Sequence, residues 1–143
     1  IRDRFNTFLG ERFEYLFLNI PLLEKILSTK ILWAGKEFGK TSPKEVIDID
    51  LYVETQSGEN FVFEIKWKEL KPKDIERIIC NLSEKTNKAN LNKKTHLGII
   101  AKKIQKYDTH VALIDINDIL KKLLGKPTNS TNYKPKQNSK SAI

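Results

Sequence analysis

Residues 46–67, VIDIDLYVETQSGENFVFEIKW, decide how this chain folds. Over residues 46–53, Ile47, Ile49, Leu51 and Val53 fall on one side and Asp48, Asp50 and Tyr52 on the other. That two-residue period belongs to a strand. TQSGEN then supplies turn residues, and FVFEIKW at 61–67 is a second run rich in aromatic and β-branched side chains. Two such runs joined by a short polar segment predict a β-hairpin.

Outward from the hairpin the period changes. Upstream, Phe5, Phe8, Leu9, Phe13, Leu16 and Phe17 recur at helical spacing, which predicts a helix over 3–19 with those residues as one apolar stripe. Pro21 with Leu22, Leu23, Ile26 and Leu27 predicts another turn or two, because proline suits a helix start. Ile31, Leu32 and Trp33 predict a short strand, and Gly35–Pro43 a loop. Downstream, a helix is predicted over 72–90, with Pro72 and Asp74 in its first turn and Ile75, Ile78, Ile79 and Leu82 as its buried stripe. His96–Ala101 and Val111–Ile114 predict two more strands. Asn117 is placed to cap a last helix carrying Ile119, Leu120, Leu123 and Leu124 and ending at Gly125. The order α, β, β, β, α, β, β, α predicts an α/β fold with a mixed central sheet flanked by helices.

The 143 residues suit one domain. Hydrophobic residues make up 39% and charged residues 31%, too apolar for a disordered chain and too charged for a membrane protein. No apolar run approaches the ~18 residues of a membrane span, and Arg2, Asp3 and Arg4 do not open a secretory signal. A single cysteine, Cys80, excludes an intrachain disulfide and points to a reducing, cytoplasmic setting. Beside Ile79, it reads as a small buried hydrophobe. The chain opens on Ile1 and contains no methionine, as a piece of a longer or processed protein would.

The formal net charge is +8, and half of it lies in residues 126–143, where Lys126, Lys134, Lys136 and Lys140 meet no acid. This segment is too polar to offset its ordering entropy, so a disordered basic tail is expected after a domain spanning 1–125. A mildly basic body fits a polyanionic partner.

Chemistry is expected at the hairpin. Alternation puts Asp48 with Asp50 on one face of the first strand, and Glu64 with Lys66 on one face of the second. If those faces coincide, three carboxylates and an ammonium converge. Hard oxygen ligands of this kind suit Mg²⁺, which neutralises a phosphodiester and acidifies an attacking water. The plainer alternative is a solvated hairpin face, with Asp48 a cross-strand partner of Glu64 and Lys66. Glu69-Leu70-Lys71 repeats the Glu-x-Lys form, but the residue fourteen before Glu69 is Thr55, whereas fourteen before Glu64 stands Asp50.

Asp50, thirteen intervening residues and then Glu64-Ile65-Lys66 resemble the PD-(D/E)xK nuclease signature. Gly10-Glu11-Arg12-Phe13-Glu14 resembles the Gly-x-x-Phe-Glu of that superfamily's first helix. Leu32-Trp33-Ala34-Gly35-Lys36, Asp48-Ile49-Asp50-Leu51 and Phe63-Glu64-Ile65-Lys66-Trp67-Lys68 are together similar to the C-terminal nuclease-like domain of archaeal STAND-type AAA+ ATPases. The likeness runs over about residues 5–101. There are departures: Pro43 is too far from Asp50 to be the proline of the family name, Asp48 stands for a glutamate, and Ala34 for a second tryptophan.

The resemblance implies a restriction-endonuclease-like αβββαβ core and hydrolysis of DNA with Mg²⁺ or Mn²⁺. Asp50 and Glu64 would bind the metal, with the Ile65 carbonyl and Glu14 completing its shell, Lys66 positioning the nucleophile and Asp48 supporting. Lys36, Lys40, Lys44, Lys68, Lys71 and Lys73 would hold DNA phosphates. An ATPase module in the same chain is an implied partner, since no P-loop occurs here. Two other readings stay open: an inactive nuclease-like module that binds DNA or docks the ATPase, and a basic interaction module of unrelated fold. His96 and His110 lack the spacing of a zinc site, and Trp33 and Trp67 are expected to pack in the core.

Overall fold

The computed structural model describes residues 2–42, 45–89, 91 and 95–125, with side chains described outside residue 2 and residues 37–47. The predicted tail at 126–143 lies outside the described residues, as do Pro43 and Lys44. Two helices, α1 (Arg2–Leu16) and α2 (Ile20–Leu27), precede three strands, β1 (Ile31–Ser42), β2 (Glu45–Thr55) and β3 (Asn60–Leu70). Helix α3 (Pro72–Lys88) crosses to β4 (Thr95–Ile104) and β5 (Ala112–Asp115), and α4 (Ile116–Leu123) follows. The strands form one five-stranded sheet in the order β1-β2-β3-β4-β5. β2 runs antiparallel to both of its neighbours, β1 and β3, whereas β3, β4 and β5 run parallel.

The sheet is covered on both faces. Phe13 of α1, Phe17 just past its end, Leu23 and Ile26 of α2 and Ile119 of α4 share one cluster with Leu51, Val53, Phe61, Phe63 and Ile65. On the other face, Ile75 and Ile78 of α3 pack with Leu70, Ile99 and Leu113, and Leu82 packs with Ile49, Tyr52 and Val62. β3 therefore lies between α1 and α3, and its alternate residues feed both layers.

Local chemistry sets the helix ends. Asn19 caps α2 by accepting the Leu22 amide at 3.0 Å, which ends the first helix at Leu16 rather than at 19. Asp74 accepts the Lys71 amide at 3.0 Å at the start of α3. Asp115, not Asn117, caps α4: it accepts the Asp118 amide at 3.0 Å, and Asp118 accepts the Asp115 amide at 3.1 Å. This reciprocal pair satisfies two amides that would otherwise be unpaired.

Several expectations are corrected. Gly35–Ser42 continues β1 instead of forming a loop, because pairing with the strongly patterned β2 carries a segment of weak strand propensity. Gly35 has a packing role: a Cβ there would meet the Trp33 ring at 2.8 Å. The stripe of α1 is only partly buried, since Phe5, Phe8 and Leu16 are exposed while Phe13 and Phe17 pack on β3. Leu120 and Leu123 of α4, and Leu124 just past it, are exposed as well. Cys80 is exposed, facing away from the Ile75–Ile78–Leu82 stripe. Trp33 remains about two-fifths exposed (42%) against Tyr52, whereas Trp67 packs against Phe13. Ile49 joins Tyr52 and Val62, not Leu51 and Val53, so the alternation in β2 is broken.

Gly98 is the tightest point of the parallel half. A Cβ at this position would fall inside the Phe63 ring and 3.3 Å from the Ala112 Cβ. Gly98→Ala is expected to destabilise the fold by about 1–3 kcal/mol through overpacking. Urea unfolding of the two chains side by side measures the difference; an unchanged midpoint would mean that β3, β4 and β5 are not held this closely.

Candidate functional site

The broken alternation builds the site. Between Gly35↔Tyr52 and Glu37↔Ile49, β1 advances two residues and β2 three. The extra residue is a bulge at Asp50–Leu51, which re-aims side chains and weakens pairing. β2 pairs with β3 only from Leu51↔Phe63 to Glu54↔Asn60. Beyond Leu51, β2 stays with β1, and β3 continues with β4 as far as Leu70. The two strands thus diverge like a fork at Asp50 and Glu64.

Asp50 sits in the crotch of the fork. Its Oδ2 accepts the Ile65 amide at 2.9 Å, replacing the ladder bond that the departing strand would have supplied. Burial pushes the Asp50 carboxyl up. The Ile65 amide opposes this, the charges of Glu64 and Glu14 add to it, and Lys66 opposes it, leaving the pKa at about 6. Desolvation and like charge both disfavour a carboxylate, and here they outweigh the hydrogen bond.

Glu64 follows Phe63 in the pleat and turns to the α3 face. It meets Lys66 Nζ at 3.3 Å through Oε2 and Lys85 Nζ of α3 at 3.6 Å through Oε1. Glu14, next to Phe13 on α1, approaches from the opposite face and meets Lys36 Nζ of β1 at 3.3 Å. Burial pulls the Lys36 ammonium down, but the hydrogen bond and charge of Glu14, with the charges of Asp50 and Asp48, more than offset this and hold its pKa above the usual value. Asp48 is exposed.

The fork therefore brings Asp50, Glu64, Glu14 and Lys66 into one electrostatic neighbourhood, joined by Lys36 and Lys85. Among the described residues, no group of three His, Cys, Asp or Glu side chains stands together in a form that would hold a metal ion. Two of the acids are held instead by lysines, from opposite sides of the sheet.

Of the lysines expected to hold phosphate, Lys36 is tied to Glu14. Lys68, Lys71 and Lys73 are exposed at the end of β3 and the start of α3. Lys40 lies in β1 with its side chain outside the described set, and Lys44 lies outside the described residues. His96 stands 3.8 Å from Glu59 beside the Phe61 ring, and His110 is exposed. Sequence reasoning missed Lys85. Its signal is the helical spacing Ile75, Ile78, Leu82, Lys85, in which a lysine continues a buried stripe. Among the described residues, no helix is long and apolar enough to cross a membrane.

The raised pKa of Asp50 has a sign. Between an ordinary pKa of 3.8 and about 6, the folded chain holds a proton that the unfolded chain has released. This contribution favours folding at low pH and fades as pH rises through about 6. Asp50→Asn keeps an oxygen acceptor for the Ile65 amide and removes the charge. It should raise the melting temperature at pH 7 by a few degrees and much less at pH 4. Melting scans at the two pH values decide; an equal shift at both would show that Asp50 does not titrate in this way.

No curated protein and no solved structure matches this sequence. A family of archaeal and bacterial proteins of unknown function, DUF234, matches residues 1–78, which span α1 through the first half of α3 and include Glu14, Lys36, Asp50, Glu64 and Lys66. With more than half of its length matched, and with the fork inside the matched segment, the chain belongs to the DUF234 family.

Proposed function

We propose that this chain is a restriction-endonuclease-like domain of the PD-(D/E)xK type that hydrolyses DNA phosphodiester bonds with Mg²⁺ or Mn²⁺, within a larger ATPase. The observation that carries this reading is Asp50, a carboxylate set in the strand fork and pushed to about 6 by burial and by the neighbouring Glu64 and Glu14 charges. Acids gathered against their own repulsion suit a divalent cation, which offsets both burial and like charge. Asp50 would offer its second oxygen, Glu64 its carboxylate, Ile65 its carbonyl, and Glu14 would complete the set. The cation supplies charge neutralisation on the phosphate and a more acidic water.

The protein groups have separate tasks. The Ile65 amide fixes the Asp50 carboxylate in the fork. Lys66, 3.3 Å from Glu64, would orient the nucleophilic water and stabilise charge on the phosphate. Lys36 and Lys85 hold Glu14 and Glu64 as counter-ions. Lys68, Lys71 and Lys73 would contact phosphates beyond the site, giving salt-sensitive, sequence-independent affinity.

A second reading has its own support. Both Glu64 oxygens are engaged by lysines, and no three-acid group is assembled among the described residues. A nuclease-like module with an unused cluster, binding DNA or docking an attached ATPase, fits those two facts.

Supercoiled plasmid incubated with the chain and increasing Mg²⁺ or Mn²⁺ is expected to be nicked or cut. Asp50→Ala, Glu64→Ala and Lys66→Ala should each lower the rate by at least about a hundredfold. Metal-free cutting, or cutting that survives these changes, would overturn the mechanism. A wild type that binds DNA but never cuts would select the second reading. Lys85→Ala should free one Glu64 oxygen and tighten Mn²⁺ binding about threefold or more in calorimetry, since a part-exposed ion pair competes only weakly with a divalent ion. Unchanged or weaker binding would separate Lys85 from the site.

A further inference from the structure

The carboxyl ends of β4 and β5 and the first turns of α4 enclose a groove of about 760 Å³. Leu113, Ile104, Ile116 and Leu120 supply its apolar lining, and Lys103 and Lys106 are among its polar residues. Leu120 lines the groove, and beyond it Leu123 in α4 and Leu124 just past the helix are exposed too.

Its two kinds of charge differ in exposure. Two acids line the groove, Asp115 and Asp118. Asp115 accepts the amides of Asp118 and Ile104, and Asp118 accepts the amide of Asp115, so both carboxylates are engaged with the backbone. Lys103 and Lys106 are exposed on strand end and loop. Lys102, Lys103 and Lys106 are exposed along the groove, whereas Asp118 is buried and Asp115 half-buried, so the groove offers apolar lining beside a rim on which exposed lysines outnumber acids.

We propose that this groove docks an amphipathic helix that carries apolar residues at i, i+3, i+4 and i+7 and acidic residues along their flank. The apolar lining matches helix-in-groove recognition, and the lysines select an acidic partner and disfavour a basic one. The chain's own segment 126–143, with four lysines and no acid, has the wrong sign. A second copy apposed groove to groove would set lysine against lysine. A nucleic-acid backbone would satisfy the lysines but leave the leucines against phosphate. The proposal stands apart from the nuclease reading, since none of its residues belongs to the fork.

The probe is a fluorescein-labelled helical peptide of about fifteen residues, with leucines at those positions and glutamates elsewhere. Its controls are a scrambled peptide of the same composition and a version with lysine for every glutamate. With the 143-residue chain, anisotropy should report a dissociation constant of about 10 μM for the acidic helix. Lys103→Glu, Lys106→Glu, Leu120→Asp and Leu124→Asp all fall at exposed positions, so folding should survive, as circular dichroism checks. Each should weaken binding about tenfold, and the lysine variants should flatten the salt dependence. No binding by the acidic helix, equal binding of either control, or indifference to the variants would overturn the proposal. Loss of bound peptide to a DNA duplex that itself depends on Lys103 and Lys106 would reassign the groove to nucleic acid. Self-association abolished by Leu120→Asp would reassign it to a second copy.

Discussion

The hydrogen bond from the Ile65 amide to the Asp50 carboxylate is the constraint on which the site depends. A strand that leaves its neighbour in mid-sheet exposes a backbone donor, and a buried donor without a partner is costly. The bulge at Asp50–Leu51 turns β2 away, and the side chain of the same bulge satisfies the donor left behind. One residue therefore both opens the sheet and closes the resulting gap. A carboxylate recruited for that purpose is held in a part-buried position, where its proton affinity rises.

The surrounding charges follow from that placement. β3 lies between α1 and α3, so Glu64 reaches a lysine on α3 while Glu14 reaches a lysine on β1 from the other side. Each ion pair is partly solvated and contributes little to stability by itself. Together they offset the charges of the two glutamates that raise the Asp50 pKa. Local frustration of this kind is what consistent folds tolerate at functional positions.

The hairpin was legible because alternation and turn residues agree over 46–67, and the structure pairs Leu51 with Phe63 and Val53 with Phe61. The mixed sheet and its flanking helices were legible for the same reason, since the periods of the segments change where the elements change. Three features were not. Gly35–Ser42 carries weak strand signals and becomes β1 only through its partner. The bulge has no local signature, so strict alternation misassigned Ile49 to the Leu51 face. Phe5, Phe8 and the α4 leucines have the right period for burial, but period says nothing about whether a surface exists opposite them. At the candidate site, Asp50 and Glu64 were placed by residue types at a recognisable spacing, whereas Lys85 was hidden because its contact joins two elements that sequence distance separates.

The sheet changes direction at β3, which has an antiparallel neighbour on one side and a parallel neighbour on the other. Only two residues separate β1 from β2 and four separate β2 from β3, while the whole of α3 lies between β3 and β4. Short closures cost less chain entropy than long ones and are reached sooner. Asp50 and Glu64 therefore come together through the shorter closures, with Lys66 of the same strand already beside Glu64, whereas Lys85 can reach Glu64 only once the crossover helix has docked. Docking of α3 thus adds a second cation to the seam as well as covering the sheet.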